Sequence, residues 1–186
     1  MATTPSQTVG PFFAIELPYG DGPRVVAEGT EGAIWLRGRV LDGAGDPVPD
    51  ALIELWQADP SGRVPREAGS LRRDGFTFTG WGRSATDDSG RFSFATLAPG
   101  ATSSGGAPFF AITVFARGLL DRLLTRAYLP GDTAEQAAAL AADPLLASVE
   151  EGRRQTLVAR ADEHGFVFDI RLQGADETVF LAHPQH

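Results

Sequence analysis

The chain has 186 residues, 42% of them hydrophobic, enough for one full-sized core. Twenty-four acids against sixteen bases leave a net charge of −8, a balance that repels phosphate backbones and anionic lipid and argues against nucleic-acid or membrane-surface roles. All the cations are arginine and cysteine is absent, which excludes lysine Schiff-base and P-loop chemistry, disulfides, thiolate nucleophiles and Cys-ligated metals.

Residues 1–30 carry four prolines and no periodicity, so they read as an extended arm lying on the body of the protein or on a partner. The opening Met-Ala-Thr-Thr-Pro-Ser-Gln-Thr has neither a basic n-region nor an apolar h-region, so no signal peptide is expected. With no cysteine to staple a secreted scaffold, a cytoplasmic setting is expected. Ala33 to Leu41 alternates, with Ile34, Leu36 and Val40 on one face and Trp35, Arg37 and Arg39 on the other, which predicts a half-buried strand. Ala51 to Gln57 alternates again, and Phe76 and Phe78 flank a threonine in another strand signature. Asp87-Asp88-Ser89-Gly90 marks a tight turn between 83–86 and the alternating run Arg91 to Leu97. Phe109 to Arg117 is apolar up to its last residue apart from Thr113 and predicts a central strand buried on both faces. Strands are also expected over 123–129, 156–161 and 166–172. A helix is predicted where Thr133 caps Glu135, Gln136 and the alanines 137–142, and Asp143-Pro144 separates it from a second over 145–155. These elements predict an all-β protein, a β-sandwich with one short helical insertion, in a single domain spanning residues 1–186.

Chemistry-bearing residues are few. His164 sits in the turn Asp162-Glu163-His164-Gly165 and reads as a solvated turn residue. His183 and His186 have metal-ligand spacing but end the chain, where a preorganised shell is not expected. The glycine-rich stretch 100–106 lacks phosphate-binding spacing and reads as a plain connection. Arg117 ends an apolar strand, so it calls for an anion: either an acid within the chain or a ligand. No self-contained catalytic apparatus emerges.

Three stretches together resemble the intradiol ring-cleaving dioxygenases. They are Gly38-Arg39-Val40-Leu41-Asp42-Gly43 running on to Ile53-Glu54-Leu55-Trp56-Gln57-Ala58-Asp59; Gly82-Arg83 with Thr86-Asp87, Ser89-Gly90 and Phe92-Ser93-Phe94; and Phe168-Asp169-Ile170-Arg171-Leu172-Gln173-Gly174 with Glu177-Thr178-Val179-Phe180. The resemblance runs from Thr4 onward and implies a β-sandwich. It also implies a ferric ion held by two tyrosines and two histidines. Here the corresponding positions read Val64, Thr102, Phe109 and Ala111, so the resemblance implies a chain that holds no metal of its own.

Some members of the family pair such a chain with a homologous β subunit that carries Fe(III), in a higher α–β oligomer. The stretches Thr4-Pro5-Ser6-Gln7-Thr8-Val9-Gly10-Pro11-Phe12 and Phe115-Ala116-Arg117-Gly118 are similar to the iron-free type. This implies that Thr8, Gly10, Pro11, Phe12 and Arg117 reach the substrate at the partner's iron. Phe12 stands where the family has tyrosine and offers no hydroxyl; Val9 replaces a smaller residue. The implied reaction is intradiol cleavage of 3,4-dihydroxybenzoate by O2 to 3-carboxy-cis,cis-muconate. Two other readings compete. One is a stand-alone iron enzyme using Tyr19, Tyr128, His183 and His186; the other is a non-catalytic transthyretin-like binding module.

Overall fold

The computed structural model describes residues 7–10, 12–66 and 73–182. Among these residues, nine strands form two sheets. β1 (Ala33–Leu41) lies between β4 (Arg91–Leu97), antiparallel to it, and the short parallel strands β8 (Gly165–Val167) and β9 (Ile170–Arg171); β7 (Arg160–Asp162) completes this five-stranded sheet through β8. The second sheet runs in the order β3 (Trp81–Ala85), β2 (Leu52–Gln57), β5 (Phe109–Phe115), β6 (Leu123–Tyr128), antiparallel throughout.

Period-two alternation builds the core between the sheets. Leu36, Val40, Phe92 and Phe94 from one sheet meet Ile53, Leu55, Phe110, Ile112 and Val114 from the other in a continuous buried cluster. Burying such side chains contributes roughly 1.5–3 kcal/mol each, the main source of stability. The Asp87 carboxylate accepts from the backbone N–H of Ser89 and Arg91, both at 2.9 Å, and so shapes the turn that carries the chain from β3 to β4.

β1 and β4 match their expected limits. The apolar run 109–117 is a central strand only to Phe115, and it is not buried equally on its two sides: Phe110, Ile112 and Val114 fill the core while Phe109, Ala111 and Phe115 are half-buried on the outer face. Phe76 and Phe78 lie outside any strand, in a loop shaped by Asp74, whose carboxylate accepts from the Phe76 and Thr77 N–H groups. The expected strand at 156–161 is instead a 3₁₀ turn over Gln155–Leu157 followed by β7.

The helical insertion begins with α2 (Ala134–Ala142), which carries a complete capping box between Thr133 and Gln136. Asp143 then caps α3 (Pro144–Ser148) through the N–H groups of Leu145 and Leu146. The single helix expected over 145–155 is divided, because the backbone is extended at Val149 before α4 (Glu151–Arg154) restarts it. The arm is not simply extended either. It contains the one-turn helix α1 (Phe13–Glu16), and Arg24 bridges to Ala95 at the edge of β4.

Candidate functional site

The outward-facing side chains of the four-stranded sheet form an aromatic surface. In register, Trp81, Trp56, Ala111 and Arg126 make one row across β3, β2, β5 and β6. Arg83, Glu54, Thr113 and Leu124 make the next, and Ala85, Leu52 and Phe115 a third. Glu54 and Arg83 are a directly opposed cross-strand pair; the carboxylate accepts from Arg83 Nε at 3.1 Å and Nη2 at 2.5 Å, with both side chains only 17% exposed. Charges so little exposed must be paired, and these are.

The arm crosses this surface. At its start the Thr8 hydroxyl accepts from the Gly118 N–H at 2.7 Å. Phe13 of α1 packs on Phe115, with ring centroids 5.3 Å apart. Farther along, the Leu17 carbonyl accepts from Arg83 Nη1 at 3.2 Å, and Tyr19 stacks on Trp81. Arg73 fastens the far end, donating to the carbonyls of Trp81 at 2.7 Å and Gly22 at 3.3 Å. Burial pushes the Tyr19 phenol above its ordinary pKa. With one side of the arm so engaged, Phe12, Ile15 and Leu17 remain exposed; Phe12 is 67% exposed. An arm held from below that presents three large apolar residues above is built to be covered.

Arg117 lies beside the start of the arm. Its Nε forms an ion pair with the Asp50 carboxylate, and Gly118 turns the chain at φ +87°. The apolar strand before it predicts a poorly solvated guanidinium, but the side chain is 56% exposed and projects past the end of β5. The acid within the chain and the accessible guanidinium therefore coexist. Thr8, Phe12 and Arg117 are brought to one end of the sheet; Gly10 is exposed in the same segment, with its carbonyl accepting from the Phe13 N–H. Pro11 lies outside the described residues.

The four positions where the family resemblance implies iron ligands do not suit a metal. Phe109 and Ala111 share the outer face of β5, and the Arg126 guanidinium stands 4.0 Å above the Phe109 ring centroid. Val64 and Thr102 sit on two exposed loops that are tied together. The Gly100 N–H donates to the Asp59 carbonyl, and a Cβ on Gly62 (φ +84°) would collide with the Ala101 carbonyl oxygen. Valine, phenylalanine and alanine have no donor atom, and a resident cation opposes a second one. The stand-alone alternative is also opposed. Tyr128 on β6 and Tyr19 beside β3 lie at opposite edges of the sheet, about 14 Å apart by strand spacing. Tyr128 is moreover committed, donating to Asp143 at 3.0 Å and accepting from Arg126 at 3.0 Å. His183 and His186 lie outside the described residues. His164 is an exposed turn residue, as its sequence context predicts.

Sequence reasoning did not find Asp50, Tyr19 as an anchor of the arm, or Arg126. Period two does place Glu54 and Trp56 on one face of β2, the local signal that sets this face apart from the core.

A protein-family model described as Dioxygenase matches residues 9–107. The chain belongs to the intradiol dioxygenase family. More particularly, it is 40% identical over 193 aligned positions to the protocatechuate 3,4-dioxygenase alpha chain of Burkholderia cepacia, covering 96% of each. It is 37% identical to the alpha chain of the same enzyme from Pseudomonas putida, covering 96% of this chain and 95% of that one. The beta chain from Burkholderia cepacia is 36% identical over 163 positions, 78% of this chain and 66% of the relative. Among solved structures, the dioxygenase domain of a dioxygenase–carbohydrate-binding fusion from Streptomyces sp. SirexAA-E superposes with a TM-score of 0.56 at 26% identity, covering 94% of this chain and all of that one. Among the described residues, no helix is long and apolar enough to cross a membrane.

Proposed function

We propose that this chain is the iron-free α-type subunit of a protocatechuate 3,4-dioxygenase, working against a homologous β-type chain that holds Fe(III). The observation that carries this reading is the docked arm. Its start brings Thr8 and Phe12 to the same end of the aromatic face as the accessible Arg117, and it leaves an apolar upper surface open to a partner. The similarity to both an alpha and a beta chain of one enzyme supports a hetero-oligomer. The donor-poor set Val64, Thr102, Phe109 and Ala111 supports assigning the metal to the other chain.

In this reading the ring cleavage takes place in the partner, and this chain's task is to bind and orient. Arg117 supplies positive potential toward the carboxylate of 3,4-dihydroxybenzoate, a charge-assisted contact worth roughly 1.5–3 kcal/mol. Thr8 and Gly10 fix the arm, and Phe12 forms an apolar wall of the partner's pocket. The cysteine-free composition supports a cytoplasmic setting.

Co-expression with a candidate β-type chain, followed by oxygen uptake on 3,4-dihydroxybenzoate, tests the reading. Turnover is expected only when both chains are present. Turnover by this chain alone would overturn it.

A further inference from the structure

On the five-stranded sheet, β1 and β4 set Arg39 directly opposite Arg91. The Arg39 N–H turns away from β4 and donates to Asp169, while the Val40 N–H donates to the Gly90 carbonyl. Arg39 and Arg91 are therefore a non-hydrogen-bonded pair, the position in an antiparallel ladder where facing side chains lie closest, with Cβ atoms about 5 Å apart. Like charges opposed in this way destabilise a sheet.

The two arginines line, with Arg37 and three acids among others, a cleft of about 560 Å³, and each acid is committed elsewhere. Asp162 pairs with Arg37 and accepts from the His164 N–H. Asp169 accepts from the Arg39 N–H through one oxygen and faces Arg160 at 3.8 Å through the other. Asp87 is spent on the turn, accepting from the Ser89 hydroxyl and from the N–H groups of Ser89 and Arg91. Neither the Arg39 nor the Arg91 guanidinium has a hydrogen bond or ion pair among the described residues, and both side chains are exposed. In the same lining, Arg37 Nε is a buried donor with no acceptor among the described residues. Buried donors are nearly always satisfied, so an orphan marks a missing acceptor. The apposed cations cost stability and gain nothing inside the chain. A rule of sheet packing broken without local compensation points to function.

We propose that this cleft binds a small oxyanion carrying two or more negative charges, a polycarboxylate or a phosphate, held between Arg39 and Arg91. Each guanidinium presents its two-pronged edge to a pair of oxygens, and the ligand's charge turns mutual repulsion into attraction toward a shared centre. The site lies on the sheet opposite to Arg117 and does not depend on the subunit assignment. No bond is made or broken there.

The test is calorimetric titration of the full chain with citrate and with inorganic phosphate at about 0.15 M salt, where casual attraction to exposed charges is screened. One saturable site per chain is expected for at least one of them, and the tighter of the two assigns a carboxylate or a phosphate ligand. Acetate, a monoanion, should bind at least tenfold more weakly. Arg91→Gln should weaken binding at least tenfold, and Arg39→Gln, the second variant should the first fail to fold, should do the same. Thermal melts separate binding from structure. Wild type should melt higher with ligand than without, and the variants should lose this rise. Without ligand the variants should melt no lower than wild type, since the repulsion is relieved. Absence of saturable binding overturns the proposal, as does binding unchanged in both variants or a ligand-free melting point lowered by several degrees in both.

Discussion

The outer faces of the two sheets differ in kind. On the five-stranded sheet, β1 turns Trp35, Arg37 and Arg39 outward, and two of the sheet's cations are answered locally: Arg37 pairs with Asp162 and Arg160 approaches Asp169 at 3.8 Å. The first of these pairs is 37% and 34% exposed, and screening by water leaves such a pair worth little. On the four-stranded sheet, the arm lies over Phe115, Arg83 and Trp81, and the Glu54–Arg83 pair beneath it has half that exposure. The same fold thus presents one face suited to water and one organised to hold a segment and meet another surface. An exposed aromatic such as Trp35 is no evidence of a site by itself. Aromatics, a shielded ion pair and a docked arm on one face are.

Deleting residues 2–13 removes the Thr8 and Phe13 anchors and should give the largest effect. Assembly with the β-type chain is expected to weaken by an order of magnitude or more, with activity falling in step. A truncated chain that assembles and turns over normally would remove the arm from the mechanism. Arg83→Met leaves Glu54 unpaired under the arm. Removing one partner of a fully buried pair costs about 3–5 kcal/mol; with 17% exposure, about 2–3 kcal/mol is expected, against no more than about 1 kcal/mol for Arg37→Met on the opposite sheet. Urea unfolding of the two variants checks the ratio, and equal losses would erase the distinction between the faces.

Arg117→Ala should raise KM for 3,4-dihydroxybenzoate by about one to two decades while leaving catechol, which lacks the carboxylate, nearly unaffected. Asp50→Asn is the control for a purely structural pair. If the two variants lose stability alike and the ratio of kcat/KM for the two substrates does not move, Arg117 serves Asp50 alone.

The smallest effect concerns pH. The Tyr128 phenol is pushed up to about 12 by burial, so the folded chain favours its neutral form. Its contribution is fully present below pH 10 and is lost as pH rises toward 12, because the unfolded chain ionises first. Stability of the wild type should fall more steeply between pH 10 and 11 than that of Tyr128→Phe, as followed by thermal melts at each pH.

Which parts were legible in the sequence follows the same division. β1 and β4 match because strict alternation between turn signals is a local property. The run 109–117 misleads because Phe109 and Phe115 are apolar for an outer surface on which Arg126 and the arm pack, which periodicity cannot separate from the core. Arg117 stands out in the sequence as a cation that ends an apolar strand and calls for an anion, whereas Thr8 is identifiable only through resemblance; their partners Asp50 and Gly118 become visible only when the chain folds. Tyr19, stacked on Trp81, likewise has no local signature.

The central claim is that this chain contributes a surface and not a metal. Iron analysis of the chain purified alone and purified with its β-type partner tests it most directly. The account predicts no stoichiometric iron and no tyrosinate-to-ferric colour in the isolated chain, with one iron per pair in the complex. One equivalent of tightly held iron in the isolated chain would contradict it.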